Sequence, residues 1–185
     1  MKILFLYYEL AQYTHACVKQ LPAYDEIHVV AYPVNIEAPF AFEPNANTHL
    51  YDRKNLDLAM LTDLYREISP DLLVCAGWSD QDYLQIAKSA KNVNTCVTIL
   101  AFDNQWKNTF RQLMGVATRG ASFSNIFDYA FIPGQPQREF ALKLGFDEDR
   151  ILHGGYSCDF EYFSNLREEF ELDKARAFPH KFLYV

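Results

Sequence analysis

The sequence lacks the glycine-rich turns by which many α/β proteins bind nucleotide phosphates. The turn after the first apolar run reads Tyr-Tyr-Glu-Leu-Ala-Gln over residues 7–12 and contains no glycine. A dinucleotide fold needs glycines there so that the backbone can approach a pyrophosphate. No GxxxxGK[ST] motif occurs elsewhere in the chain. These absences argue against an NAD or ATP site, and we expect no bound cofactor.

Clustered metal ligands are also missing from the sequence. The four cysteines form no CxxC pair, and Cys75 and Cys96 lie in apolar runs. Isolated cysteines in such runs are typical of reduced core thiols in a cytosolic protein. A zinc site would need several ligands close together. We therefore predict a cytoplasmic protein without a metal site.

Long hydrophobic runs and an excess of positive charge are absent too. No stretch approaches the roughly 18 apolar residues of a membrane span. The net charge is −7, which disfavours the phosphate neutralisation on which nucleic-acid binding depends. Nucleic acids are therefore not expected among the partners.

What the sequence does contain is a series of short, continuous apolar runs. Continuous apolarity is typical of strands in a parallel sheet that is covered on both faces, whereas half-exposed strands alternate. The predicted strands are Ile3–Tyr7, Ile27–Ala31, Leu72–Ala76, Cys96–Leu100 and Tyr129–Ile132.

Helical patterns separate these runs. Apolar residues recur at helical spacing over 61–68, over 83–90 after a predicted Ser79/Asp82 cap, and over 136–144 before Gly145; another helix is predicted to begin near Gln105. Alternating strands and helices predict a Rossmann-like, doubly wound α/β fold, with a mainly parallel sheet and helices on both faces.

Ligands of such folds bind beyond the carboxyl ends of the strands. The loops predicted there are 8–14, 77–80, 102–107 and 133–135. Asp103 follows a buried strand directly and could accept a proton from a hydroxyl nucleophile. Equally, Asp103 or Asn104 could cap the helix that is predicted to begin near Gln105. The sequence alone leaves both interpretations open.

Other residues near these loops are candidates for binding an acceptor. Lys107 and Arg111 are four apart on the predicted helix and could form a basic edge for a phosphate group, although such spacing is more typical of a solvated helix face. Trp78 could be a platform for a sugar ring or an ordinary packing residue. The acceptor-binding candidates are His15, Trp78, Asn104, Trp106, Lys107 and Arg111.

The order of elements and several segments resemble the N-terminal domain of family 4 glycosyltransferases, which have the GT-B fold. The segments are Phe127–Gly134, Glu139–Gly145, Arg150–Tyr156 and Cys158–Phe160. The final run, Phe182–Val185, resembles the strand that opens the second domain of that family. The resemblance thus implies an acceptor-side domain over residues 1–165, followed by a linker and the first strand of a donor-binding domain over 166–185.

The resemblance also implies an activity. Members of the family move a hexose from a nucleotide-sugar to a hydroxyl with retention of configuration, in the synthesis of bacterial polysaccharide or other glycoconjugates. Family members often carry a histidine or aspartate where Asp103 stands, close to the reacting sugar. The donor is bound mainly by the second domain, so we expect no turnover from these 185 residues alone. A lipid-linked acceptor would bring the enzyme to the inner membrane surface.

A stand-alone binding module of flavodoxin-like architecture is the alternative. It would explain the pattern of strands and the lack of catalytic motifs equally well. It would not explain a lone terminal strand, because a single strand cannot bury itself.

Overall fold

The computed structural model describes residues 1–21, 25–33, 46–93, 96–154, 160 and 164–165. The predicted terminal strand at 182–185 and the whole segment 166–185 lie outside these residues. The elements in chain order are β1 Lys2–Glu9, α1 Gln12–Lys19, β2 Glu26–Tyr32, β3 Thr48–Asp52, α2 Leu58–Ile68, β4 Leu72–Ala76, α3 Gln81–Val93, β5 Val97–Ala101, α4 Phe110–Ile126, β6 Tyr129–Ile132, α5 Gln135–Lys143 and β7 Ile151–His153.

The strands form one seven-stranded sheet in the order β3-β2-β1-β4-β5-β6-β7, and every neighbouring pair is parallel. After β1 the chain builds β2 and β3 on one side, then crosses to build β4 to β7 on the other. This is the doubly wound Rossmann order. The fold class predicted from the sequence is confirmed.

Two apolar clusters cover the two faces of the sheet. The larger one joins Leu4 and Leu6 of β1 to buried residues of α2 to α5, among them Tyr83 and Phe140. The smaller one packs Val18 of α1 against the β2 side chains that point the other way. Alternate residues of a strand face opposite sides of a sheet, so α1 covers one face of the sheet at β2, and α2 to α5 cover the other.

Two strands that the apolar runs did not reveal lie at the edges of the sheet. β3 reads Thr-His-Leu-Tyr-Asp, and Leu50 remains 39% exposed. β7 has only three residues, of which Leu152 is 39% exposed. An edge strand is half open to solvent and needs no continuous apolar run. The sequence signal for buried strands was therefore absent from both.

The predicted helix near Gln105 begins later, at Phe110. Thr109 is its N-cap, and Thr109 and Gln112 exchange hydrogen bonds in a capping box. The interpretation of Asp103 or Asn104 as the helix cap is therefore wrong. Lys107 precedes the helix, so it does not share a helical face with Arg111.

The cap of α3 also differs from its prediction. Asp80, and not Ser79, accepts hydrogen bonds from the backbone N–H groups of Asp82 and Tyr83, at 2.9 and 3.3 Å. The Asp80 side chain is buried and bonded to Arg53, and this ion pair fixes the carboxylate where it can cap the helix. The sequence spacing of a capping box cannot reveal such a long-range partner.

Two of the segments that carry the family resemblance, one beginning at Phe127 and one at Arg150, are tied together by hydrogen bonds. Asp128 accepts bonds from Lys91 and from the backbone N–H and hydroxyl of Thr98. Arg150 donates to the carbonyls of Ser124, Phe127 and Asp128. These bonds join α3, β5, α4, β6 and β7. In these two segments, Asp128 and Arg150 therefore stabilise the fold.

Acid is expected to weaken the fold through Asp128. Burial acts to raise the pKa of this carboxyl, but the bonds from Lys91 and Thr98 outweigh it and lower the pKa below its usual value. A lowered pKa gives stability that is present at neutral pH and is lost as the pH falls below about 4. Asp128→Asn should be less stable at pH 7 and should lose less of its free energy of unfolding between pH 7 and pH 3.

Urea unfolding across this pH range measures the effect. Lys91→Met should flatten the pH dependence in part, because it removes one of the interactions that lower the pKa. An equally steep loss in wild type and in Asp128→Asn would contradict this account of Asp128.

The described cysteines are buried or partly buried, and none forms a disulfide. Burial raises the pKa of Cys75 to about 12 and that of Cys96 to about 11. Both are therefore protonated core thiols at neutral pH, as the sequence predicted.

Within the described part of the chain, none of the helices combines the length and the apolar character that a bilayer span requires.

Candidate functional site

A cleft of about 260 Å³ opens at the carboxyl edge of the sheet. It includes the point between β1 and β4 where the order of strands in the sheet reverses. Ligands of α/β sheets usually bind at such a point. Each of the four loops predicted from the sequence contributes to it. Its lining residues are Tyr7, Tyr8, Glu9, Tyr13, Thr14, Ala76, Gly77, Ala101, Phe102, Asp103, Asn104, Phe131, Pro133 and Gly154.

Two carboxylates and an amide line the cleft, from the end of β1 and the loop after β5. Glu9 ends β1, and Asp103 and Asn104 follow β5. All three side chains are exposed, so they can reach a ligand. Together they offer two carboxylates and one amide, the groups that accept hydrogen bonds from hydroxyls.

Three tyrosines also line the cleft, two at the end of β1 and one in α1. Burial, followed by the proximity of Tyr13, raises the pKa of Tyr7 to about 12. Its hydroxyl is therefore protonated at neutral pH and can donate a hydrogen bond. Tyr8 is 56% exposed and Tyr13 42% exposed, which leaves aromatic surface open to a ligand. Sequence reasoning had placed this loop at the cleft but had not singled out Glu9 or the tyrosines.

The backbone around Asp103 is fixed although its side chain is exposed. Gln137 of α5 is buried and donates from Nε2 to the Asp103 carbonyl at 3.1 Å. Phe102 donates its N–H to the Phe131 carbonyl at 3.1 Å and buries its ring. The loop is thus held between β6 and α5. Such support from rigid elements is what a catalytic side chain needs.

Gly77 shapes the floor of the cleft at the end of β4. Its φ of 72° lies in the left-handed region, which side chains other than glycine rarely adopt. Its N–H donates to the Ala101 carbonyl at 2.7 Å. The turn therefore brings β4 and β5 together below the polar groups that follow β5.

Trp78 does not line the cleft. Its ring lies 5.5 to 5.8 Å from the rings of Phe102, Phe123 and Phe140, in tilted and edge-on geometries. Such aromatic clusters stabilise a core through both buried area and ring geometry. The geometry favours the packing interpretation of this residue over the sugar platform.

We expect Trp78→Ala to lower the free energy of unfolding by about 2–4 kcal/mol, because it empties the centre of this cluster. Trp78→Phe should lose less, since a ring remains. Chemical denaturation measures both. A Trp78→Ala variant with wild-type stability and weaker sugar binding would instead support the platform.

The remaining candidates lie outside the cleft lining. His15 is buried in α1. Trp106 is half-buried against the ring of Phe140, and the Lys143 ammonium lies 4.8 Å from its centroid. Lys107 and Arg111 are exposed near the start of α4. Of the predicted site residues, the structure therefore brings together only Asp103 and Asn104 in the cleft.

A buried ion pair lies on the β2–β3 side of the same sheet edge. Arg53 donates from Nε and Nη2 to Asp80, at 2.8 and 3.2 Å, and from Nη2 to Asp82 at 2.7 Å. Tyr32 adds a bond to Asp80 at 3.1 Å. These contacts hold the loop after β4, which carries Gly77 and Trp78.

Among the described residues, one group has the composition of a metal site. Ligand atoms of Glu26, His28 and His49 lie within 4.8 Å of one another. His28 already bonds through both ring nitrogens, to Glu26 and to the Tyr51 hydroxyl, each at 3.0 Å. Its ring also stacks on that of His49. The group lies on β2 and β3, outside the cleft lining, and these contacts explain it as packing.

No family model matches the chain, and no curated protein matches it. Solved structures do match it in fold. A UDP-N-acetylglucosamine 2-epimerase from Rickettsia bellii is 10% identical, with a TM-score of 0.56 over 96% of this chain and 49% of that one. HepE from Anabaena, in complex with UDP-glucose, is 14% identical, with a TM-score of 0.54 over 93% of this chain and 50% of that one.

A third match is the UDP-GlcNAc 2-epimerase from Neisseria meningitidis bound to UDP-GlcNAc, with 12% identity and a TM-score of 0.55 over 96% of this chain and 55% of that one. These matches agree with the Rossmann-like α/β fold that the strand order shows. At these identities the likeness shows the fold alone. The chain spans about half the length of these structures.

Proposed function

We propose that this GT-B-type domain belongs to an enzyme that acts on a nucleotide-sugar, and that its cleft holds the sugar being transferred or the acceptor that receives it. The observation that carries the proposal is the lining of the cleft. Two carboxylates and an amide line it together with exposed tyrosine rings, at the switch point of the sheet. Hydroxyl-rich ligands with C–H faces suit this combination of acceptors and aromatic surface.

The turn after β1 supports a sugar or acceptor over a dinucleotide. Tyr8 and Glu9 occupy the place where a dinucleotide fold has glycines. Their side chains keep a pyrophosphate from the backbone, and the Glu9 carboxylate would repel it. Phosphate binding would then come from elsewhere in the whole protein, in keeping with the matched structures, which are about twice as long.

Within this class we propose glycosyl transfer of the family 4 type, to a hydroxyl acceptor in polysaccharide or glycoconjugate synthesis. In that reaction the bond between the anomeric carbon and the phosphate oxygen breaks, a bond to the acceptor oxygen forms, and the acceptor hydroxyl loses its proton. We assign to Asp103 the role of orienting that hydroxyl and accepting the proton. The support is its exposed carboxylate on a loop held by Gln137.

Epimerisation is the second candidate, and the names of two matched structures favour it. A 2-epimerase, as its name says, inverts the configuration at C2 of the sugar. It needs acid–base groups but no acceptor hydroxyl. Glu9 and Asp103 would supply two carboxylates for that chemistry. The fold does not distinguish the two reactions.

Product analysis of the whole protein separates them. It would be incubated with UDP-N-acetylglucosamine and with UDP-glucose, with and without a panel of sugar and lipid-linked acceptors. Release of UDP that depends on an acceptor, together with a glycosylated acceptor, supports transfer. A C2 epimer formed without an acceptor supports epimerisation. Absence of both products, with no binding of either nucleotide-sugar, would overturn the proposal and favour a binding module.

A further inference from the structure

Helix α4 has apolar side chains on two opposite faces. Its inner face packs Phe123, with Val116 beside it, onto the main core. Its outer face carries Phe110, Leu113 and Met114, which are 79%, 46% and 49% exposed. These three are spaced i, i+3 and i+4 and therefore share one face. A surface helix normally presents polar residues there.

The charge around this helix is opposite to that of the protein. Residues 104–127 contain Lys107, Arg111 and Arg119 and no acidic residue, in a chain whose net charge is −7. Lys107 and Arg111 are exposed close to Phe110. Apolar side chains flanked by cations are typical of helices that bind anionic lipid surfaces, where the cations contact headgroups and the apolar groups enter the acyl boundary.

The segment that leads into this helix is fixed and adjoins the cleft. Gln112 donates from Nε2 to the Gln105 carbonyl at 2.7 Å and accepts from the Lys107 N–H at 2.8 Å. Asp103 and Asn104, two and one residues before Gln105, line the cleft. Whatever covers the start of α4 therefore lies next to the cleft mouth.

We propose that the α4 surface, defined as Lys107, Phe110, Arg111, Leu113 and Met114, docks on an anionic membrane. The three apolar side chains insert at the headgroup level, and the two cations contact lipid phosphates. Membrane docking by this surface does not depend on which reaction the enzyme catalyses. The further idea, that docking brings the cleft to a lipid-linked acceptor, rests on the function proposed above.

Vesicle co-sedimentation of the whole protein, without substrate, tests the proposal. We expect binding to vesicles of phosphatidylcholine with phosphatidylglycerol, weak binding to phosphatidylcholine alone, and weakening by salt. The triple variant Phe110→Ser, Leu113→Ser, Met114→Ser should bind at least tenfold more weakly. The pair Lys107→Gln, Arg111→Gln should reduce binding to the anionic vesicles roughly tenfold and remove most of the salt dependence.

Matched controls use exposed residues of other helices. Met60→Ser and Val93→Ser replace side chains that are 50% and 65% exposed, and Lys88→Gln removes an exposed cation of α3. All three should bind like wild type. A loss as large as that of the α4 variants would overturn the proposal, and so would equal binding to neutral vesicles.

Two other occupants of the surface give different results. If the rest of the protein covers α4, no vesicle composition binds and the serine variants lower the stability of the whole protein. If a second copy covers it, light scattering detects a dimer that the serine variants dissociate, again without vesicle binding. Either result overturns membrane docking while leaving the nucleotide-sugar assay unaffected.

Discussion

Replacing Arg53 with leucine is expected to lower the free energy of unfolding by about 3–5 kcal/mol, because it leaves a buried carboxylate without its cation. The side chains of Arg53 and Asp80 are 9% and 6% exposed. Burial acts to raise the pKa of Asp80, yet the bonds from Arg53 and from backbone N–H groups hold it below its usual value. The carboxylate is thus charged in the fold and depends on its partner.

The effect should extend beyond the ion pair, because Asp80 also caps α3. Arg53 packs its guanidinium against the Tyr32 and Tyr83 rings, at 5.9 and 5.4 Å from their centroids. Lysine cannot reproduce the forked donation or this stacking, so Arg53→Lys should lose much of the same stability. The combined variant Arg53→Leu, Asp80→Asn should lose less than the sum of its single changes.

Urea denaturation measures these differences, and an exposed ion pair supplies the control. Arg66 bonds Asp63 on α2, with side chains 72% and 76% exposed. Arg66→Leu should change the free energy of unfolding by about 1 kcal/mol or less. An Arg53→Leu variant that is no less stable than Arg66→Leu would contradict the assignment of Arg53 as the support of this sheet edge.

Asp103→Asn is expected to lower the turnover number of the whole enzyme roughly 100- to 10,000-fold, which is the usual contribution of a positioned acid–base group. The amide keeps the size of the side chain but cannot accept a proton. Because the Asp103 side chain is exposed, the free energy of unfolding should stay within about 0.5 kcal/mol of wild type. The KM for the nucleotide-sugar should change little.

Asp149→Asn is the matched control, since Asp149 is exposed in the short turn before β7, outside the cleft lining. It should turn over like wild type. Glu9→Gln tests the second carboxylate of the cleft in the same assay. Wild-type turnover by Asp103→Asn would show that Asp103 is not the proton acceptor. If only Glu9→Gln loses most of its turnover, Glu9 is the proton acceptor instead.

The central strands were predictable because each is a short, continuous apolar run, whether both faces are buried, as in β4, or mainly one, as in β6. Runs such as Leu72–Ala76 and Tyr129–Ile132 coincide with β4 and β6. β3 was not predictable in this way, because an edge strand with Thr48, His49 and Asp52 has no apolar run. Runs of apolar residues indicate burial. They therefore predict the strands in the middle of a sheet but not the partly exposed strands at its edges.

The location of the cleft followed from the fold, but its individual residues did not. Any doubly wound sheet brings the carboxyl-end loops together at its switch point, and this placed Asp103 near Glu9. The direction of a side chain depends on long-range packing. Trp78 turns toward Phe123 and Phe140, which lie more than forty residues away, and no local pattern indicates that.

Hydrogen–deuterium exchange of the whole protein with saturating UDP-N-acetylglucosamine, and separately UDP-glucose, tests the central claim most directly. Binding in the cleft should slow exchange in the loops 76–80, 101–105 and 131–135, whereas the edge strand at 48–52 should exchange as in the free protein. Slower exchange elsewhere in the protein, with these three loops unchanged by either nucleotide-sugar both alone and together with the acceptor panel, would contradict the assignment of this cleft as the site of sugar chemistry.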